Sequence, residues 1–439
     1  MSKKLKTKKG VASFYIVAFS TLILVVVATS FAAVIISEIE RTTNDDLAQS
    51  AYDSALAGVE DAKLAVYAYQ NCVGDESEEC ETIRELVEKE DWESQEEHCS
   101  QVANILGRGD GEVAIQEMTG SNSLEQYYTC VTISGITNDY KTTLTDSSPS
   151  RVIKPSFDTD GKETGVSTSA DDISQIRISW YSSANKNANS GNLSYKNFVN
   201  GSVVFSSVGG ESDTTETPTP PIISVGLVQT ASSFKMSDFD KTSGSATDRG
   251  LIYLVPTDGV ATAKSDGSSN FISAGENNLI DKSAFLSSNN KSKSNKPYTV
   301  ACKEDNDYVC SATIELPDVV NGERSDDTFA IVVSLPYGRP DVDIKVEFLC
   351  GDDICGYNEI DEFGRGVEGT ETNIAKLEWT QIEVDSTGRA NDLYRRVETR
   401  LENDNSSLVS GMNVIEVFGD ISKDIYSTCE YDFNATCLK

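Results

Sequence analysis

The residues Val11–Ile36, VASFYIVAFSTLILVVVATSFAAVII, decide how the rest of this chain is read. No charged side chain interrupts them; Lys9 precedes the run and Glu38 is the first charge after it. About 20 apolar residues in a helix cross a bilayer, so this run is long enough with some tilt. Five lysines (Lys3, Lys4, Lys6, Lys8, Lys9) precede it and no acid does. Basic residues stay on the cytoplasmic side. The expected topology is a single pass through the cytoplasmic membrane, with the N-terminus inside and everything after Glu38 outside. A secretory signal peptide would have an apolar core of about 7–15 residues closed by a small-residue cleavage site. Here the run is longer, and the apolar pattern continues beyond it.

From Leu47 the apolar residues recur as Leu47, Ala51, Tyr52, Ala55, Leu56, Val59, Ala62, Val66 and Tyr69. That is helical spacing, and Asp45, Asp46, Asp53, Glu60, Asp61 and Lys63 fall between them. The pattern predicts one helix from about Val11 to Tyr69. Its first half is apolar all round and its second half carries one apolar stripe. At 1.5 Å per residue it is roughly 85–90 Å long. The protruding half must pack on something.

Lys8-Lys9-Gly10 followed by an uncharged run resembles the leader and hydrophobic segment of type IV pilins and of the pseudopilins of type II secretion. Ala48–Ala62, AQSAYDSALAGVEDA, is similar to the alanine-rich second half of that helix in PilX-type minor pilins. A shorter stretch, Ser386-Thr387-Gly388-Arg389 with Tyr394-Arg395-Arg396-Val397-Glu398, looks like their closing hairpin. The resemblance implies cleavage by a prepilin peptidase between Gly10 and Val11, and methylation of Val11. It places Phe14, Tyr15 and Ile16 in the segment that bundles with other pilins in a filament core. The fifth mature residue is usually Glu in this family; here it is Tyr15, as in some tip subunits. The fold implied is α+β: a long membrane-spanning helix, an antiparallel pilin-like body and a second β-rich domain. The implied role is a minor pilin of a type IV pilus or secretion-like filament, extracellular once assembled.

The 439 residues suffice for two or three domains. Their net charge is −33, falling to −38 if the five leader lysines are removed. Binding to phosphates rests on Lys and Arg, so nucleic acid is not an expected partner. All ten cysteines follow the apolar run. By spacing they pair as Cys72/Cys80, Cys302/Cys310, Cys350/Cys355 and Cys429/Cys437, leaving Cys99 with Cys130. An even number at close spacing in an exported chain reads as disulfides. Zinc sites usually want CxxC-like spacing or added histidines, and His98 is the only histidine.

Along the chain, residues 71–208 read as the first part of the pilin-like body. It holds a short helix near Glu81–Trp92 and strands at Tyr127–Ile133, Tyr140–Leu144 and Ile173–Tyr181. The Thr/Pro-rich stretch 209–221 reads as a linker. Residues 222–349 read as an inserted β domain with strands at Ile222–Gln229 and Leu251–Val255. Two hairpins are expected in it: Tyr298–Cys302 with Val309–Leu316, and Thr328–Leu335 with Val342–Leu349 across a Pro336–Asp341 turn. Residues 350–439 then supply the closing strands, Ala375–Val384 and Asn391–Leu401, and a cysteine-bearing tail.

Enzyme chemistry is not expected. A Ser-His-Asp or Cys-His site needs a histidine base, and His98 stands beside Cys99. There is no glycine-rich phosphate loop and no HExxH. Carboxylates are too numerous to single out a glycosidase pair. The one cofactor worth stating is calcium, a hard cation taking clustered oxygens. Its candidate is the loop holding Asp352, Asp353, Glu359 and Asp361, and Asp158–Glu163 is a second acidic turn. Neither has EF-hand spacing, and solvated acidic loops are the ordinary alternative. The rival functional reading is a surface adhesin held by an uncleaved N-terminal anchor, without any filament.

Overall fold

The computed structural model describes residues 9–71, 126–159, 166–182, 220–233, 247–257, 272–285, 297–302, 307–318, 323–325, 329–336, 341–357 and 371–402. Short pieces at 99–100, 102–103, 113–114, 185, 198–199, 202–203 and 369 are also described. Helix α1 runs from Lys9 to Asn71 without a break, about 95 Å at 1.5 Å per residue. It contains no proline and only Gly58 after its first turn. Its few hydroxyls do not disturb the apolar half. Ser20 Oγ donates to the Ile16 carbonyl at 2.8 Å, Thr29 Oγ1 to Val25 at 3.0 Å and Ser30 Oγ to Val26 at 2.8 Å. Polar groups satisfied within the helix itself suit a surface with no water to bond.

The strands follow in chain order. They are β1 Val113–Ala114, β2 Gln126–Thr137, β3 Tyr140–Leu144, β4 Ser150–Ile153, β5 Gln175–Ser182, β6 Phe198–Val199 and β7 Ser202–Val203. Then come β8 Ile223–Thr230, β9 Thr247–Thr257, β10 Ile272–Ser273, β11 Leu279–Ile280, β12 Pro297–Ala301 and β13 Tyr308–Glu315. The last are β14 Ala330–Ser334, β15 Val342–Leu349, β16 Gly356–Tyr357, β17 Glu371–Thr372, β18 Leu377–Ala390 and β19 Leu393–Glu402. Three larger sheets result, in the orders β1-β2-β18-β19, β10-β12-β9-β8-β14-β4 and β11-β13-β5-β15-β3. Pairing is mostly antiparallel; β10, β12 and β9 lie parallel to one another, as do β11 and β13. One long helix with an antiparallel-rich β body is an α+β fold.

The four-stranded sheet lies on the second half of α1. Their shared core holds Val59, Ala62, Ala65 and Val66 against Tyr128, Val131, Ile133, Ile382 and Val384. The other two sheets form a sandwich. Ile223, Val225, Leu227, Ile331 and Val333 from one meet Ile176, Ile178, Trp180, Ile344 and Val346 from the other. Phe329 and Phe348 touch edge to face across it, with centroids 6.0 Å apart, the arrangement aromatic quadrupoles favour. At one end the buried Arg324 closes the sandwich, with its guanidinium 5.1 Å from the centre of the Phe329 ring. Its Nε donates to Gln229 Oε1 at 2.8 Å, and its terminal nitrogens donate to the carbonyls of Ala170, Ile173 and Pro317.

Pairing corrects three expectations. First, β3 and β5 do not extend the sheet of β2. Both pair with β15, and β5 also pairs with β13. The sandwich therefore runs from Tyr140 to about Lys376, not from 222 to 349, and lies between β2 and β18, which are neighbours in one sheet. Second, β14 and β15 are not a hairpin, nor are β12 and β13; each pair is divided between the two sandwich sheets. Phe329, Ile331, Val333 and Leu335 do alternate onto one buried face. Alternation shows which face is covered, but a facing sheet covers it as well as a paired strand does. Third, β18 continues through Asp385–Ala390, and the turn to β19 is Asn391-Asp392, with Asn391 at φ 52°. Two-residue hairpin turns require such left-handed residues, and Asn tolerates them.

Candidate functional site

The two halves of α1 face different surroundings. Through the apolar half every large side chain from Tyr15 to Ile39 is exposed: Tyr15 by 67%, Phe19 by 67%, Leu24 by 70% and Phe31 by 66%. Exposed apolar surface on that scale marks a membrane or another protein. Among the described residues, α1 is the one helix long and apolar enough to span a bilayer. Ile16 is 66% exposed on this surface, while Gly10, Val11 and Phe14 lie in the first turns of the helix.

The second half reverses the pattern. Ala51, Ser54, Ala55, Ala62 and Ala65 are fully or almost fully buried. Small residues at helical spacing let the backbone of α1 approach the sheet closely. At Gly58 a Cβ would overlap Ser386 Oγ and reach Val131 at 2.9 Å. At Gly388, in mid-strand, a Cβ would overlap the backbone of Ala51 and Ala55. Glycine inside a strand marks this kind of close backbone approach. Tyr128 fixes the register along the helix by donating its hydroxyl to Asp61 Oδ2 at 2.6 Å. The opposite, outward face of the helix leaves Tyr52, Leu56, Leu64 and Tyr67 exposed.

The outer face of the sheet is polar. Asp385 pairs with Arg396, and the Arg389 guanidinium lies 5.1 Å from the centre of the Tyr127 ring, a cation–π distance. Burial pushes the Glu383 carboxyl above its usual range although Arg400 Nη2 stands 2.5 Å away. On the sandwich, burial raises the Tyr308 phenol to about 12, with Asp343 adding to it.

Three expected disulfides are present: Cys99–Cys130, Cys302–Cys310 and Cys350–Cys355. Because β12 and β13 belong to different sheets, Cys302–Cys310 ties the two layers of the sandwich together rather than closing a hairpin. Cys72, Cys80, Cys429 and Cys437 lie outside the described residues, as do the Glu81–Trp92 helix and most of the 209–221 linker. The calcium candidate is only partly visible. Asp352 and Asp353 are exposed and line a cavity of about 630 Å³ together with Asp171 and Asp172. Glu359 and Asp361 lie outside the described residues. No group of three or more His, Cys, Asp or Glu side chains is placed to hold a metal among the described residues. Asp171 accepts from the Arg324 backbone N–H and Asp172 from Ser169, so two of these four carboxylates already serve the loop.

Sequence reasoning missed the part Gly388 plays. Inside Ser-Thr-Gly-Arg it looked like a turn residue, and only the helix it touches shows why it is glycine. Comparison with protein-family models, curated proteins and solved structures returned no match.

Proposed function

We propose that this chain is a minor-pilin-like structural subunit: cut after Gly10, methylated at Val11, and packed by its apolar half-helix among other pilins at a filament tip. The observation that carries the reading is the division of α1. One half exposes an all-round apolar surface, and the other, made of small residues, lies against a sheet closed by a C-terminal hairpin. A plain membrane anchor has no need of a helix continuing about 50 Å past the apolar run. The apolar half would sit in the cytoplasmic membrane, N-terminus inside, until extraction into the filament.

Tip placement rests on Tyr15 and on bulk. In the family this subunit resembles, Glu at the fifth mature position pairs with the N-terminal ammonium of the neighbouring subunit. Charge left unpaired in lipid is costly, and Tyr15 cannot supply the carboxylate. A first subunit tolerates that and a repeating one does not. The sandwich adds the argument of space, since it is inserted between two neighbouring strands and would project from every copy in a helical lattice. Immunogold labelling of sheared filaments tests the placement. Label confined to one end is the expected result; regular label along the shaft at major-pilin stoichiometry would refute it.

A further inference from the structure

The chain crosses between the helix-bound sheet and the sandwich twice, at Thr137–Tyr140 and at Lys376–Glu383. The ladder between β2 and β18 is interrupted there: Glu378 pairs with Ile136 and the next pair is Glu383 with Ser134. One residue, Gly135, thus faces four, Trp379 to Ile382. Trp379 has φ 58°, a backbone conformation bulky residues rarely adopt. Its ring sits over Gly135, where an added Cβ would stand 3.1 Å from it. Among the described residues the two apolar cores do not merge across this waist: Leu377 belongs to the sandwich core and Ile382 to the helix core.

What bridges the waist is polar. Gln381 is bonded twice to the backbone of Lys141, accepting from its N–H at 2.9 Å and donating to its carbonyl at 2.7 Å. Arg400 of β19, held within its own sheet by Glu383 at 2.5 Å, reaches Asp139 of the connector at 3.3 Å. Arg151 of β4 lies 3.2 Å from Glu402 of β19, which also accepts the Tyr140 hydroxyl at 3.0 Å. Burial, then Glu402, pushes the Tyr140 phenol up, so it remains a donor.

We propose that this waist is a latched pivot. The sandwich swings about the bulge at Trp379, and two ion pairs, Arg400 with Asp139 and Arg151 with Glu402, hold it in one orientation. Hinges are a few residues at element ends between separately packed bodies. Here two such bodies meet through one irregular strand pair, hydrogen bonds joining Ser156 and Lys141 to the bulge, a bridge from Phe157 to Leu377, and a set of ion pairs. The inference rests on the contacts at the waist and stands whether or not the chain joins a filament.

The test uses the full chain in detergent micelles, with spin labels carried by unnatural amino acids at the exposed positions Leu64 and Leu279. Pulsed dipolar spectroscopy then reads the distance between helix and sandwich. The unaltered chain should give one narrow distribution, and Arg400→Ala should broaden it about twofold as other orientations become populated. Arg151→Ala should broaden it less, because its pair with Glu402 is the more exposed of the two. Near-UV circular dichroism and the unfolding profile report whether both cores persist. If Arg400→Ala disturbs β19, Arg151→Ala decides alone, since β4 lies outside the helix-bound sheet. Folded variants with unchanged distributions would overturn the proposal.

Discussion

The helix-bound sheet and the sandwich solve the same packing problem with opposite materials. The sandwich buries Trp180, Phe285, Phe329, Phe348 and a field of Ile and Val, interdigitated across two layers and tied by Cys302–Cys310. Against the helix-bound sheet α1 buries mainly small residues, Ala51, Ser54, Ala55, Ala62 and Ala65 beside Val59 and Val66, with Gly58 and Gly388 at the closest approach. Large side chains gain from area removed from water. Small ones gain from backbone proximity, which the first added carbon destroys. The sandwich core should therefore tolerate exchange among large residues, and the helix interface should not tolerate growth where the backbones approach, at Gly58 and Gly388.

Gly388→Val probes that difference most sharply. Its side chain would meet the backbone of Ala51 and Ala55 rather than a flexible group, so the loss should exceed the roughly 1–3 kcal/mol of ordinary overpacking. Denaturant unfolding followed by two probes should show the helix–sheet transition abolished and the sandwich transition kept. Loss of both together would break the comparison. Trp180→Ala is the converse case. It empties the centre of the sandwich and removes the bond from Nε1 to the Pro221 carbonyl at 2.9 Å. A cost of about 3–5 kcal/mol is expected, confined to the sandwich.

Arg324→Leu ranks third. It leaves the carbonyls of Ala170, Ile173 and Pro317 and the Gln229 amide short of a donor, at about 1–3 kcal/mol for the buried groups left unsatisfied. A shift of the sandwich melting temperature by a few degrees checks it; no shift would mean that water replaces the guanidinium.

The smallest expected effect is one of pH. The folded carboxyl of Glu383 titrates above its unfolded value because burial disfavours its charge. The folded state then holds the proton more tightly, so this contribution to stability is complete below the unfolded value near 4.5 and is lost as pH rises through the folded value. Glu383→Gln should flatten the stability–pH curve of the helix–sheet unit just above pH 4.5. An identical curve for both proteins would show that Arg400 offsets the burial.

The helix and most strand positions were legible because each depends on local periodicity: Leu47–Tyr69 for α1, Ile176-Ile178-Trp180 for β5, Phe329-Ile331-Val333-Leu335 for β14. Sheet membership was not, because it depends on which distant strand is adjacent. Nothing in Tyr140–Leu144 says that its partner is β15 rather than β2. The close pairing of Cys302 with Cys310 was visible, but the spacing is the same for a hairpin and for a corner between layers. Gly388 was legible as a glycine and not as a contact, since the residues it touches lie more than three hundred positions earlier.

A pilin-like subunit must begin its mature life at Val11. The direct measurement is intact and N-terminal peptide mass spectrometry on protein from cells with an active prepilin peptidase, beside the Gly10→Leu variant. The expected result is a chain beginning at methylated Val11, with the leader retained in the variant. An intact leader from Met1 on the unaltered protein would contradict it and leave the signal-anchored surface protein in its place.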